Sequence, residues 1–73
     1  MITTQQKQAL KSLGFQYIAF DEDGIGYAHW SKPIIKDDAA WLPTDPFEDI
    51  LCLSMVNIIG DNGKPWRESL EEL

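Results

Sequence analysis

Two runs rich in aromatic and β-branched residues stand out in the chain. They are Phe15-Gln16-Tyr17-Ile18-Ala19-Phe20 and Ile25-Gly26-Tyr27-Ala28-His29-Trp30-Ser31, and they flank the polar stretch Asp21-Glu22-Asp23-Gly24. This pattern predicts a β-hairpin over residues 15–31, the centre of the fold. Two registers fit the turn. A two-residue Asp23-Gly24 turn would set Phe20 opposite Tyr27. A turn through Glu22-Asp23, with Gly24 as the left-handed bulge residue, would set Phe20 opposite Gly26 and Ile18 opposite Ala28. The second is preferred because it pairs large residues with small ones. It gathers Ile18, Phe20, Ala28 and Trp30 on one face and leaves Tyr17, Tyr27 and His29 on a face that can be half wet.

Before the hairpin, Thr3 and Gln6 form a capping box, and Gln5, Gln6, Lys7, Ala9, Leu10 and Lys11 are good helix formers. Gln6, Leu10 and Leu13, with Ala9 beside them, make a narrow packing face. Gly14 suits a left-handed stop, with Phe15 folding back onto Leu10 as in a Schellman end. After the hairpin, Lys32-Pro33 ends the second strand or makes it an edge. Ile34-Ile35 is apolar, Lys36-Asp37-Asp38 is a polar turn, and residues 39–42 form a short strand closed by Pro43-Thr44-Asp45-Pro46.

Residues 47–59 carry two periods. As a helix, Phe47, Ile50, Leu51, Met55 and Ile58 share a face; as a strand, Leu51, Leu53 and Met55 oppose Ile50, Cys52 and Ser54. A strand at 50–57 is favoured because the sheet needs a further member to be independently stable. Gly60-Asp61-Asn62-Gly63 is a turn. Pro65 opens a short final helix with Trp66, Leu70 and Leu73 at helical spacing. The expected architecture is a single α+β domain, residues 1–73. Its N-terminal helix packs on a small antiparallel sheet of three to four strands.

Composition narrows the function classes. The chain has 73 residues, 44% of them hydrophobic, and a formal charge of −6 from twelve acids and six bases. A domain this short has a thin stability margin, and Trp30, Trp41, Trp66, Phe15, Phe20 and Phe47 are expected to supply much of its burial. Direct nucleic-acid binding calls for the opposite charge; the acidic surface steers toward basic partners instead. One cysteine allows no internal disulfide and fits a reducing cytosol, and no Cys/His cluster suggests zinc. No apolar run approaches a membrane span and no signal-peptide pattern opens the chain, so a cytoplasmic protein is expected. Lacking staples, it either packs unusually well or self-associates.

Candidate chemistry is sparse. Asp21, Asp23 and Gly26 match positions of an EF-hand loop, but Ile25 and Lys32 stand where two ligands belong, so the segment reads as a solvated turn. His29 is the sole histidine. Ser31 lies two residues on, and nothing in the sequence orients the pair as a catalytic unit, so His29 reads as a partly exposed strand residue. Cys52 reads as a small core residue. The pairs Asp37-Asp38, Glu48-Asp49 and Glu71-Glu72 read as solvated surface. No catalytic residue, cofactor, metal or small-molecule substrate is therefore expected. The interaction candidates are Asp21, Glu22 and Asp23 at the hairpin tip, Asp37 and Asp38 in the next turn of the same sheet, and Trp66 as the most exposed tryptophan.

The blocks Leu13-Gly14-Phe15-Gln16-Tyr17-Ile18-Ala19, Asp21, Asp23-Gly24, Lys32-Pro33 and Trp41, with Gly63-Lys64-Pro65 and Leu70-Glu71-Glu72-Leu73 after them, resemble short uncharacterised proteins encoded in phages and prophages of Gram-positive bacteria. The resemblance implies a small accessory protein acting inside a bacterial host cell. The expected role is non-enzymatic binding to a host protein, as a nucleic-acid mimic or defence inhibitor. The alternative is a structural or assembly protein, including a homodimer.

Overall fold

The computed structural model describes residues 2–38, 40–45 and 47–73. Helix α1 (Thr4–Ser12) begins with the expected capping box: Gln6 N–H donates to Thr3 Oγ1 at 3.1 Å, and Thr3 N–H donates to Gln6 Oε1 at 2.9 Å. It ends in a complete Schellman motif. Gly14 N–H donates to Lys11 O and Phe15 N–H to Leu10 O, with Gly14 at φ 102°. Gly14 is required for a second reason, because a Cβ there would lie 2.2 Å from Trp30 Cζ3. Leu10 and the preceding Ile2 enter the core, whereas Ala9 and Leu13, expected on the packing face, are exposed. An ion pair between Lys7 and Glu71 adds a tie to the far edge of the sheet.

The hairpin of β1 (Tyr17–Phe20) and β2 (Gly26–His29) has the preferred register, Ile18 opposite Ala28 and Phe20 opposite Gly26. Gly24 is left-handed at φ 86°, and its N–H donates to Asp21 O. Two two-residue strands extend the sheet. β5 (Leu51–Cys52) pairs with β2, and β6 (Glu71–Glu72) pairs with β1, giving the antiparallel order β5-β2-β1-β6. The second hairpin, β3 (Ile34–Lys36) with β4 (Ala40–Leu42), forms a separate two-stranded sheet rather than joining the first. The fold is thus α+β, as expected. No helix among the described residues is long and apolar enough to cross a membrane.

The core holds Ile2, Leu10, Ile18, Phe20, Ala28 and Leu53, with Phe15, Leu51, Ile58 and Leu73 packed around it. On the opposite face of the hairpin Tyr17 and Tyr27 are half-buried, as expected of a half-wet face, but His29 is not exposed with them. Ala19 and His29 are fully buried there, and Pro33 and Trp41, in the chain that follows, are buried as well. Trp41 N–H donates to Asp21 Oδ1 at 2.9 Å, which fastens the second hairpin to the first.

Three other expectations change. Residues 50–57 are a strand only at Leu51–Cys52, after which Leu53–Val56 turns as a 3-10 helix closed by left-handed Asn57. Leu53 caps the core from this turn, so the chain no longer alternates. The final helix is a single 3-10 turn, Trp66–Glu68, followed by β6. Phe47, expected to contribute burial, is 92% exposed, and Trp30 is 43% exposed over Gly14 and Phe15.

Candidate functional site

The acidic tip is more structural than its sequence suggests. Asp21 is half-buried and accepts from Trp41 N–H; burial, the largest effect, raises its carboxyl above the ordinary 3.8 against the lowering by that bond, with a smaller push from Asp23. Asp23 Oδ1 accepts from Ile25 N–H at 2.9 Å, a bond inside the turn. Glu22 is exposed and projects from the turn's first corner. These three side chains and Ala40 line one shallow hollow, so the tip lies beside the start of β4.

Asp37 and Asp38 stand at the tip of the second hairpin. They lie at φ 57° and 53°, both left-handed. Asp38 Oδ1 accepts from Arg67 Nη1 at 2.8 Å in an exposed ion pair. The two acidic turns therefore belong to different sheets, not one. They are connected through the Asp21–Trp41 bond.

Trp66 is half-buried rather than the most exposed tryptophan; that position falls to Trp30. Its carbonyl accepts from Trp41 Nε1 at 2.8 Å, and the Arg67 guanidinium lies 4.8 Å above its ring. The first of these contacts holds the C-terminal segment against β4.

A run of exposed apolar residues that the sequence reading overlooked lies along 47–59. Phe47 (92%), Met55 (80%) and Ile59 (76%) are strongly exposed, and Ile50 and Val56 are exposed beside them in sequence. Only the partners Leu51, Leu53 and Ile58 turn inward. The signal was the apolar richness itself. A segment with more large apolar residues than one buried face accepts must leave some outside.

Under this segment, at the end of β2, polar groups gather. Glu48 Oε1 accepts from Ser31 N–H at 2.5 Å and from Ser31 Oγ–H at 2.9 Å. His29 is fully buried, not partly exposed, and among the described residues neither ring nitrogen has a hydrogen-bond partner; nor does Glu48 Oε2. Burial pushes the imidazole below its ordinary 6.5, and the Glu48 carboxylate partly offsets this. Sealed from solvent, His29 is out of a substrate's reach in this conformation. Cys52 is half-buried on β5 rather than in the core, and its Sγ lies 3.1 Å from Ser54 Oγ, a contact that lowers the thiol below 9.0. Among the described residues, no group of three or more His, Cys, Asp or Glu is placed to hold a metal ion.

A scan against protein-family models found no match, and searches of curated proteins and of solved structures found none either.

Proposed function

We propose that this chain is a non-enzymatic binding protein of the bacterial cytoplasm, an accessory protein of phage or prophage origin that engages a host protein through the exposed apolar residues of 47–59. The observation that carries this reading is the exposure of Phe47, Met55 and Ile59 within thirteen positions of a small domain. Large exposed apolar groups rimmed by polar residues mark interaction surfaces. An aromatic ring and a flexible thioether are suited to filling a partner's pockets. The net charge of −6 supports a basic partner. In that encounter Glu22, Asp23, Asp37 and Asp38 supply long-range attraction, as a nucleic-acid mimic or defence inhibitor would, while the apolar residues supply affinity.

The test is capture of partners from host lysate by the parent protein and by a Phe47→Ser, Met55→Ser double variant, with mass spectrometry as readout. Both side chains are exposed, so the variant keeps its fold. The expected result is a basic partner retained by the parent and lost by the variant. Equal capture by both proteins overturns the reading. The same exposed residues favour a second reading, a homodimer that buries them about a two-fold axis. Light scattering on the purified chain separates the two: a particle twice the 8.3 kDa of one chain, reduced to one by the double variant, supports self-association.

A further inference from the structure

The polar cluster where Glu48 meets the end of β2 has a property that neither a binding surface nor the core explains. Ser31 offers both of its donors to a single oxygen, Glu48 Oε1. These bonds span seventeen positions of sequence and tie the connector to the strand end. Next to this tie lies a fully buried imidazole whose two nitrogens have no hydrogen-bond partner among the described residues, and the second oxygen of the same carboxylate has none there either. Among the described residues, the charged group acting on His29 is Glu48, from the connector, and Tyr17 lies opposite His29 in the β1–β2 register.

We propose that His29, Ser31 and Glu48 form an acid-sensitive latch that holds the connector at Glu48 against the end of β2 near neutral pH and releases it on acidification.

The physical reason is the cost of burying a charge. In the closed form the imidazole is sealed, so gaining a proton there means placing a cation where few groups solvate it. In the open form the ring meets water and titrates near its ordinary value of about 6.5. Protons therefore bind the open form preferentially, and each added proton favours opening. The Glu48 carboxylate works against release, since it attracts the charged ring, but burial is the larger effect. When the connector leaves, Ser31 N–H loses its acceptor and becomes the direct reporter of the latch.

The experiment is amide hydrogen exchange of the whole chain between pH 7.5 and 4.5, read at Ser31 and corrected for intrinsic exchange chemistry. The expected result is a Ser31 protection factor that falls below about pH 6.5, by up to about tenfold per pH unit. The amides of Ile18 and Ala19 in β1 keep theirs. A His29→Gln variant should show a Ser31 protection that no longer depends on pH in this range. If that variant fails to fold, the parent decides alone, because its single histidine gives an unambiguous ring resonance in NMR. That ring should remain neutral in the closed protein below pH 6.5. Protection at Ser31 that stays constant or rises with acid overturns the latch. So does a ring that titrates at or above 6.5 while Ser31 remains protected.

Discussion

The hydroxyl of Ser69 occupies the place of a strand backbone opposite Phe20. Its Oγ accepts from Phe20 N–H at 2.8 Å and donates toward Phe20 O at 3.0 Å, sharing its one proton with Trp66 O at 2.6 Å. β6 pairs Glu72 with Tyr17 and Glu71 with Ile18, so the same antiparallel register carried back would bring residue 69 opposite residue 20. The side chain completes the edge of β1 where the ladder stops. Ser69→Ala leaves a buried Phe20 N–H without an acceptor, at a cost of about 1–3 kcal/mol. A denaturant midpoint lowered with no change in slope is the expected outcome. An unchanged midpoint would mean that the hydroxyl contributes nothing net to the edge.

Three glycines separate steric from conformational requirements. Gly24 is left-handed with nothing within 4 Å of an added Cβ, so Gly24→Ala meets only the left-handed penalty, about 1–2 kcal/mol. At Gly26 an added Cβ would lie 2.5 Å from Phe20 Cε1 and 2.9 Å from Leu53 Cδ1, so Gly26→Ala overpacks the core by about 1–3 kcal/mol. Gly14 combines a positive φ with a Cβ position 2.2 Å from Trp30. Gly14→Ala should be the most destabilising of the three by thermal unfolding, and a milder effect there than at Gly24 would contradict the packing of Trp30.

The parts of the fold that were legible in the sequence are those governed by local chemistry. The capping box, the Schellman stop and the hairpin register each follow from residues within a few positions, and the register in particular from setting Phe20 against Gly26. The burial of His29 and Ala19 was not legible. It arises from contacts distant in sequence, the Glu48 bonds to Ser31 and the Asp21–Trp41 bond among them, that have no local signature. The C-terminal segment shows the same limit. Trp66, Leu70 and Leu73 have helical spacing, but pairing of Glu71–Glu72 with β1 and the Ser69 bonds to Phe20 outweigh that weak local preference. In the candidate site, the bonds of Asp21 and Trp66 are not visible in the local sequence because their partners lie twenty or more positions away.

The turn of the second hairpin is strained where the first is not. Asp37 and Asp38 both adopt left-handed φ, which suits Asn-Gly better than Asp-Asp. Combining D37N with D38G should raise the thermal midpoint, with a gain of about 0.5–1 kcal/mol as the left-handed penalty is relieved. The lost pair between Asp38 and Arg67 is exposed and subtracts little. A lower midpoint would show that the pair outweighs the strain.

Asp21 gives a pH-dependent test of how the two hairpins join. Its carboxyl is raised above 3.8 by burial, so in the folded protein it holds a proton at pH values where the unfolded chain has released it. As pH falls through that interval the folded state binds more protons than the unfolded one, and this group's contribution moves toward greater stability. At neutral pH the charged form is the disfavoured one. Asp21→Asn removes the charge and keeps an oxygen to accept from Trp41 N–H, so it should stabilise the protein at pH 7, with the advantage shrinking toward pH 3.8 as the parent's own carboxyl becomes neutral. Asp21→Ala removes the acceptor as well and should destabilise at every pH, by leaving Trp41 N–H unpaired. Denaturant unfolding of the three proteins at pH 7 and pH 4 checks both signs. If the Asn variant is less stable than the parent at pH 7, the hydrogen bond to the charged carboxylate outweighs its burial, and the link between the hairpins is an ionic one.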